Sequence, residues 1–321
     1  MNTRPLGRTS LRVSEIGFGA WGLSGVQWIG ATEGESLKAL HRALDRGVNL
    51  IDTALAYGDG VSEQVVGRAI SGRPEEVFVA TKVPPKNRIW PASGRASEVF
   101  PKEHVVASCE ESLRHLGRDH VDLLQLHVWH DRFLEEDGFK DALRDLKRAG
   151  KARFVGISVS EHDADSALRA AESGLFDAMQ ILYNIFDPRP AERLLPACLA
   201  NGLGVLARVP FDEGGLTGTI RPDTTFPPGD FRNGYFRGDR RREVFARTEA
   251  LKTLLGEEAA SLPELALRFC LSAEAVSTVI PGMRSASRVD ENVGAGDGRR
   301  LSPALLEKLA RHAWPRNFYG D

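Results

Sequence analysis

The segment Asn49-Leu50-Ile51-Asp52-Thr53-Ala54-Leu55-Ala56-Tyr57-Gly58 passes from a short apolar run into a polar loop. Two later runs, residues 77–82 and 121–127, are mostly apolar in the same way, and each ends on a polar side chain. Short apolar runs of this kind are typical of strands that are buried on both faces of a parallel sheet. Because parallel strands end at the same edge of a sheet, their polar last residues are expected to lie close together.

Strand-like and helix-like segments alternate along the whole chain. Strands are predicted at residues 15–20, 48–53, 77–83, 121–127, 153–159, 178–184, 204–209 and 276–281. Apolar residues at helical spacing predict helices at residues 32–46, 62–71, 102–116, 139–149, 163–173, 191–200, 242–254, 263–271, 286–294 and 303–312. Thr32 and Ser62 are the predicted caps of the first two helices. This alternation predicts an α/β fold, a (β/α)8 TIM barrel that takes up residues 1–321 as a single domain.

The N-terminal residues and two long connections complete the predicted barrel. Residues 4–7 and 11–13 flank a polar turn and predict a β-hairpin that closes the bottom of the barrel. Residues 84–101 and 212–241 follow predicted strands, so these long connections are expected to be functional loops at the carboxyl-terminal face. The basic cluster at residues 237–242 is predicted to be a solvated surface.

The composition argues against several classes of protein. The formal net charge of −2 gives no reason to expect nucleic acid or an anionic membrane as a partner. No apolar stretch reaches the roughly 18 residues of a membrane span, and the basic N-terminal segment lacks the apolar core of a signal peptide. The three cysteines are far apart, which predicts buried thiols in a reducing cytoplasm. The oligomeric state is left open.

Four polar residues near the predicted strand ends suit proton transfer. Asp52 and Lys82 would each be costly to bury alone, so the two are predicted to pair. Tyr57 has an ordinary pKa of about 10, and a nearby Lys82 ammonium is expected to lower it toward the range of a proton donor and acceptor. A neutral His127 could donate a hydrogen bond to the oxygen of a substrate carbonyl group.

Each of these residues also has a purely structural interpretation. Asp52 and Lys82 could form an ion pair of the core, Tyr57 could be an aromatic wall of a pocket, and His127 could be a structural histidine. The nearby His130 raises the possibility of a metal site, but no third ligand stands at suitable spacing, so no metal is predicted. Taken together at adjacent strand ends, the four residues favour reduction of a carbonyl group by hydride transfer.

The order and spacing of these residues resemble the aldo-keto reductase superfamily over nearly the whole chain. The first signature of that family is similar to Asp52-Thr53-Ala54 with the later Tyr57-Gly58, Ser62-Glu63 and Gly67-Arg68-Ala69. Thr81-Lys82 and Gln125-Leu126-His127 match the next two catalytic positions. The resemblance implies a catalytic tetrad of Asp52, Tyr57, Lys82 and His127. It also implies reduction of an aldehyde or a ketone with Tyr57 as general acid and base, or the reverse oxidation of an alcohol.

The same resemblance implies a site for NADP(H), with NAD(H) as the less favoured cofactor. Its implied residues are Gly19, Ala20, Trp21, Asp52, Ser158, Gln180, Arg208, Pro210, Gly214, Leu216, Gly218, Gly282, Arg284, Arg288, Glu291 and Asn292. Ser158 and Gln180 would hold the carboxamide of the nicotinamide. Arg284 and Arg288 lie four residues apart and would share a helix face, which suits the 2′-phosphate of NADP(H).

The chain departs from the family at two of these positions. Val159 stands where many members have an asparagine, and Arg208 stands where many have a tyrosine that stacks on the nicotinamide. A cation beside the positively charged oxidised ring is unfavourable. We hypothesise that Arg208 either contacts the pyrophosphate or disfavours NADP⁺ relative to NADPH.

Two further interpretations remain from the sequence. Gly17-Phe18-Gly19-Ala20-Trp21-Gly22 fits a dinucleotide-binding fingerprint, but residues 23–31 separate it from the next predicted helix, which argues against a Rossmann fold. A regulatory or redox-sensing subunit that binds NADP(H) with slow or no turnover is the alternative function. Candidates for the walls of the substrate pocket are Trp28, Trp90, Trp129, Trp314, Phe318 and Tyr319. The physiological substrate is left open.

Overall fold

The computed structural model describes residues 1–73, 77–161, 163–316 and 318. The chain begins with the predicted hairpin, in which β1 (Thr3–Pro5) pairs antiparallel with β2 (Arg12–Ser14). Leu6 and Leu11 of this hairpin are buried against Leu50 and other apolar residues of the barrel strands. The hairpin therefore fills one end of the barrel, as the sequence predicts.

The eight strands that follow form one parallel sheet in chain order. They are β3 (Phe18–Gly19), β4 (Leu50–Asp52), β5 (Phe78–Val83), β6 (Val121–Leu126), β7 (Ala152–Ser158), β8 (Ala178–Leu182), β9 (Gly204–Arg208) and β10 (Val276–Val279). The Gly17 N–H donates to the Val279 carbonyl, and the Val279 N–H donates to the Glu15 carbonyl. These bonds join the first strand to the last one and close the sheet into the predicted (β/α)8 barrel.

Helices cover the outside of the sheet. They are α1 (Glu33–Asp45), α2 (Val61–Ile70), α3 (Ala96–Val99), α4 (Lys102–Leu116), α5 (Gly138–Arg148), α6 (Leu168–Glu172), α7 (Leu194–Ala200), α8 (Arg232–Tyr235), α9 (Arg240–Lys252), α10 (Leu262–Ser272), α11 (Ala286–Val293) and α12 (Pro303–Ala310). On α4, Val105, Cys109 and Leu113 are four residues apart and buried, so that one apolar stripe faces the sheet. Within the described residues, no helix combines the length and the apolar character needed to cross a membrane.

The predicted elements are confirmed at nearly the predicted positions, and the exceptions have clear causes. Thr32 caps α1, because its hydroxyl accepts the Glu35 N–H at 3.3 Å. The prediction that Ser62 caps α2 is wrong, because the helix begins at Val61 after Gly60, whose φ is 90°. The glycines of residues 17–22 lead into the 3-10 helix Trp21–Ser24 and not into an α-helix, which excludes the Rossmann interpretation.

One member of the predicted solvated cluster at residues 237–242 is buried. The Arg240 side chain is 3% exposed, and its guanidinium lies 2.9 Å from the carboxylate of Asp212. The Tyr235 hydroxyl donates to the same carboxylate at 2.6 Å. The basic cluster is thus not uniformly exposed. Arg240 is buried because it pairs with Asp212, which lies 28 residues earlier in the chain.

Candidate active site

A cleft of about 1120 Å³ opens at the carboxyl-terminal ends of the barrel strands. Its inner residues include Asp52 at the end of β4, Ser158 at the end of β7 and Arg208 at the end of β9. Its outer walls include Trp90 and Phe231. These two residues belong to the long connections 84–101 and 212–241, so both connections lie at the rim, as the sequence predicts.

Lys82 is surrounded by oxygen atoms from the loop after β4 and from β4 itself. Its Nζ lies 2.7 Å from Oδ2 of Asp52, 2.8 Å from the Thr53 carbonyl oxygen and 3.1 Å from the Tyr57 hydroxyl. The Lys82 side chain has no exposed surface, so these oxygen atoms have to compensate the loss of water around its ammonium. The predicted pairing of Asp52 with Lys82 is confirmed, and Tyr57 lies beside that pair.

The second carboxylate oxygen of Asp52 is held by two buried amides. The Gln180 amide donates to Oδ1 of Asp52 at 2.7 Å, and the Gln125 amide donates to it at 3.3 Å. Asp52 therefore has partners on β5, β6 and β8, the strands of Lys82, Gln125 and Gln180. These two hydrogen bonds fix the orientation of the carboxyl group beside Lys82.

A tight turn after β4 places Tyr57 in the cleft. The Tyr57 N–H donates to the Ala54 carbonyl at 3.0 Å, and the Gly60 N–H donates to the Leu55 carbonyl at 2.8 Å. Gly58 and Gly60 have φ values of 66° and 90°, which residues with a side chain rarely adopt. The two glycines thus allow the chain to reverse over a short distance and to return Tyr57 toward Lys82.

His127 follows β6, and its ring packs against that of Tyr57. The centroids of the two rings are 5.6 Å apart with an interplanar angle of 75°, and Trp90 packs against His127 at 5.8 Å. Among the described residues, Nδ1 of His127 is buried and has no hydrogen-bond partner. The structure therefore brings all four residues of the predicted tetrad to one place.

Burial and neighbouring charges set the protonation of these groups. Burial and the Lys82 and Arg208 cations hold the pKa of His127 well below its ordinary value, so its imidazole is neutral. Burial would lower the pKa of Lys82, but the Asp52 carboxylate raises it above its ordinary value. Burial raises the pKa of Tyr57 and outweighs the opposite effect of Lys82. The expectation of a lowered Tyr57 pKa is therefore wrong, and the phenol is protonated at neutral pH.

Most of the residues that the resemblance assigns to the cofactor line the cleft. They are Gly19, Trp21, Asp52, Ser158, Gln180, Arg208, Pro210, Gly214, Gly282, Arg284, Arg288 and Asn292. Arg284 runs along Gly22, where an added Cβ would lie 3.0 Å from the Arg284 Cδ. Its guanidinium donates to the Ile29 carbonyl at 3.2 Å and lies 5.4 Å from the centre of the Trp28 ring.

Four of the assigned cofactor residues lie outside the cleft lining formed by the described residues. Ala20 is fully buried, and its N–H donates to the Asp52 carbonyl at 2.9 Å. Leu216 belongs to the apolar core. Gly218 packs closely on a leucine of α10. Glu291 is turned to the surface of α11, where its carboxylate lies 2.6 Å from the Arg288 guanidinium.

The prediction that Trp129 lines the substrate pocket is wrong, because the structure places its side chain in the core. Its side chain is fully buried, and its ring packs edge-on against Phe133, Phe139 and Phe176. Its Nε1 donates to Asp131 at 3.0 Å. Strand β6 ends at Leu126, and the second residue after His127 faces the helical layer and not the cleft.

The other predicted pocket aromatics divide between the cleft and the core. Trp28 and Trp90 line the cleft, together with Trp21 and Phe231. Trp314 packs on Phe186 instead, and Phe318 packs behind Phe231 and Tyr235. Tyr319 lies outside the described residues.

Arg208 is fixed to the wall of the cleft by groups from the end of β7. Its Nη1 donates to Oε1 of Glu161 at 2.8 Å, and its Nη2 donates to the Val159 carbonyl at 3.2 Å. Val159 itself lines the cleft, and its N–H donates to the Gln180 carbonyl at 2.9 Å. The position of Arg208 at the strand end was predicted, whereas its partner Glu161 was not.

Sequence reasoning missed four residues that shape this site. Gln125, Glu161, Glu213 and Phe231 each contact a predicted residue or line the cleft. Gln125 and Glu161 stand within three residues of His127 and Ser158, which is the signal that could have found them. Within the described part of the chain, no group of three or more His, Cys, Asp or Glu side chains is arranged to hold a metal ion.

The fold and the site together are those of a (β/α)8 barrel in which Asp52, Tyr57, Lys82 and His127 cluster at the carboxyl-terminal face. The chain belongs to the aldo/keto reductase family, whose model matches residues 15–313. The protein is accordingly an oxidoreductase of carbonyl and alcohol groups, and the sequence-based assignment to this family is confirmed.

Four known proteins illustrate the similarity. The chain is 31% identical to aldo-keto reductase YhdN of Bacillus subtilis, over 88% of this chain and 85% of that protein. It is 30% identical to the NADH-specific methylglyoxal reductase of Escherichia coli, over 92% and 93% of the two chains. The solved structure of a glycerol dehydrogenase from Gluconobacter oxydans has a TM-score of 0.78 at 27% identity, covering 98% of this chain and 97% of that one. A probable voltage-gated potassium channel subunit beta of Arabidopsis thaliana is 29% identical over 96% and 95%.

Proposed function

We propose that the protein reduces an aldehyde or a ketone to an alcohol with NADPH, and that Tyr57 is the proton donor. The observation that carries this proposal is the Tyr57 hydroxyl, 3.1 Å from the Lys82 ammonium, which is itself held 2.7 Å from Asp52. The same groups would serve the reverse oxidation of an alcohol. We further propose that residues 1–321 act as one barrel domain in the cytoplasm.

Each residue of the tetrad has a role that follows from its surroundings. Bound NADPH would supply the hydride. Tyr57 would give its proton to the carbonyl oxygen, and the raised pKa of the phenol keeps that proton in place until it is needed. The Lys82 ammonium donates to the tyrosine oxygen and would stabilise the phenolate that remains. The neutral His127, whose ring packs edge-on against that of Tyr57, would donate a hydrogen bond to the same carbonyl oxygen.

The donor groups along the cleft fit a phosphorylated dinucleotide. The volume of about 1120 Å³ exceeds the roughly 300–1,000 Å³ of ordinary ligand pockets. Arg284, Ser285 and Arg288 line the cleft at the start of α11, and guanidinium groups suit phosphate oxygens. We therefore propose NADP(H) as the preferred cofactor and NAD(H) as a weaker one, although one relative is named an NADH-specific enzyme.

The substrate end of the cleft is aromatic. The Trp21 ring lies 6.3 Å from the Tyr57 ring and 5.1 Å from that of Phe231, and Trp90 packs on His127. Such walls accept an apolar or a sugar-like face of a small carbonyl compound. Since two relatives are named for methylglyoxal and glycerol, small aldehydes and ketones of this kind are the first substrates to test.

The test is a fluorescence titration with NADPH and NADH, followed by measurement of NADPH consumption with a panel of aldehydes and ketones. Tighter binding of NADPH than of NADH, with turnover of at least one carbonyl compound, would support the proposal. Absence of NADPH binding would contradict it.

A second candidate function is a regulatory subunit that senses the cofactor. The similarity to a channel subunit beta is the observation that favours it. Tight NADPH binding without turnover on the whole panel would favour this function. The intact arrangement of Tyr57, Lys82 and Asp52 favours the reductase, because a sensor needs no proton donor.

A further inference from the structure

Arg208 lines the same cleft as Tyr57 and His127, so its positive charge acts on both of these groups. Burial, Lys82 and the Arg208 cation lower the pKa of His127, and Arg208 also acts against the burial that raises the pKa of Tyr57. A nicotinamide ring that transfers hydride next to Tyr57 has to lie in the same region. The net charge around Arg208 therefore acts on that ring as well.

Two carboxyl groups, those of Glu161 and Glu213, line the same cleft as Arg208. Glu161 forms the ion pair at 2.8 Å, and its side chain is 27% exposed. Glu213 lines the same cleft from the turn after β9. Since Glu161 comes from the connection after β7, the two carboxyl groups reach the cleft from separate segments of the chain.

The turn that carries Glu213 is strained and firmly held. Asp212 and Glu213 have φ values of 48° and 54°, which cost energy in residues other than glycine. The Asp212 carboxylate is bound by Arg240 at 2.9 Å and by the Tyr235 hydroxyl at 2.6 Å. Strain of this kind persists only where the surroundings enforce it, and here the buried Asp212–Arg240–Tyr235 contacts keep Glu213 at the cleft.

The charges around Glu213 determine when it ionises. Burial, Glu161 and Asp212 raise the pKa of Glu213 to about 8, while Arg208 and Arg232 act in the opposite direction. At neutral pH the Glu213 carboxyl is therefore protonated, and Arg208 is balanced by the Glu161 carboxylate. Above the pKa of Glu213, this part of the wall gains one negative charge.

We propose that Glu161 and Glu213 set the preference of the cleft between oxidised and reduced nicotinamide, and that Arg208 is the cation they balance. The inference rests on the proposed function, because it assumes a nicotinamide cofactor in this cleft. A neutral wall treats the two redox states alike. A net positive wall disfavours the positively charged ring of NADP⁺, and a net negative wall favours it.

The test compares the ratio of dissociation constants, Kd of NADP⁺ divided by Kd of NADPH, in four proteins. The two cofactors share every phosphate group, so the ratio isolates the charge of the ring. Loss of the negative charge in Glu161→Gln raises the ratio about tenfold, and loss of the positive charge in Arg208→Gln lowers it about tenfold. The double variant Glu161→Gln/Arg208→Gln returns to a ratio close to that of the wild type. Unchanged ratios in both single variants would overturn the proposal.

The role of Glu213 is tested by pH. In the wild type the ratio falls about fivefold between about pH 7 and pH 9, because the ionised carboxylate favours the oxidised ring. In Glu213→Gln the ratio stays constant over this range. An equal fall in both proteins would show that Glu213 has no such role.

A ligand without nicotinamide controls for other effects. Binding of 2′-phospho-ADP-ribose should be equal in all variants, and circular dichroism checks that each one is folded. If Arg208→Gln weakens this ligand and both cofactors by the same factor, Arg208 contacts the pyrophosphate and its role in the wall is overturned. If the wild type binds no NADPH, the proposed function itself fails, whereas binding with unchanged ratios overturns only this inference.

Discussion

The Gln180 amide lies 2.7 Å from Oδ1 of Asp52, while Lys82 lies 2.7 Å from the other oxygen of the same carboxylate. The three residues come from β8, β4 and β5, so the contact crosses the interior of the barrel. The carboxylate is thus fixed from both sides, and Lys82 is fixed with it. The position of the Tyr57 hydroxyl depends on this arrangement, because Lys82 donates to it.

Asp52→Asn is expected to lower both activity and stability. Without the carboxylate, only Tyr57 opposes the effect of burial, so the pKa of Lys82 falls and its ammonium supports Tyr57 less. We expect a fall in kcat/KM of about 10²-fold or more and a loss of about 3 kcal/mol in the free energy of unfolding. Urea denaturation and steady-state kinetics measure the two effects.

The double variant Asp52→Asn/Lys82→Met serves as the control for this experiment. It removes the unpaired buried charge, so it should recover stability without recovering activity. A double variant as unstable as Asp52→Asn would show that the charge of Lys82 is not the cause.

His127 is expected to make the wild type sensitive to acid. Its folded pKa lies well below 6.5, so below that pH the unfolded chain binds a proton that the folded protein does not bind. Stability is therefore lost as the pH falls from about 6.5. Between about pH 7 and pH 5, the wild type should lose about 1 kcal/mol more than His127→Gln in urea denaturation. Parallel curves for the two proteins would contradict a buried, neutral His127.

Trp90 and Trp129 are expected to respond in opposite ways to substitution. Trp129→Leu leaves a hole among Phe133, Phe139 and Phe176 and should cost about 3 kcal/mol of stability with little change in KM. Trp90→Leu removes a wall of the cleft next to His127, so it should raise KM for carbonyl substrates at nearly unchanged stability. Thermal unfolding and substrate kinetics of the two variants check this contrast. A raised KM in Trp129→Leu would contradict the placement of Trp129 in the core.

Arg284→Ala is expected to weaken NADPH binding about tenfold and to leave NADH binding unchanged, because it removes the proposed charged partner of the 2′-phosphate. The matched control is Arg311→Ala on α12. That arginine pairs with Glu307 at 3.2 Å on the exposed surface and does not line the cleft formed by the described residues. Fluorescence titrations measure both affinities, and equal losses for NADPH and NADH would argue against a contact with the 2′-phosphate.

Much of the fold and the tetrad could be predicted from the sequence, because both depend on local patterns. Apolar runs mark the strands, and the polar residues that end them necessarily meet at one rim. The glycines of the turn after β4 likewise bring Tyr57 to that rim, since Gly58 and Gly60 allow the required backbone angles. These features need no knowledge of distant contacts.

The remaining features depend on contacts between distant segments. Glu161 and Arg208 are 47 residues apart, and Gln180 and Asp52 are 128 residues apart, so neither contact has a local signal. Whether Trp129 faces the cleft or the helices depends on where β6 ends, and a shift of one residue reverses the answer. The pKa of Tyr57 depends on the balance between burial and the charge of Lys82, and the sequence reveals only the second.

The most direct test of the central claim is a single-turnover measurement of NADPH oxidation with Tyr57→Phe and the wild type, using a carbonyl compound that the wild type reduces. The variant keeps the aromatic ring and loses only the hydroxyl that Lys82 contacts. We predict that NADPH binds to both proteins with similar affinity and that the rate falls about 10²-fold or more in the variant. Turnover of Tyr57→Phe at the wild-type rate would contradict the assignment of Tyr57 as the proton donor.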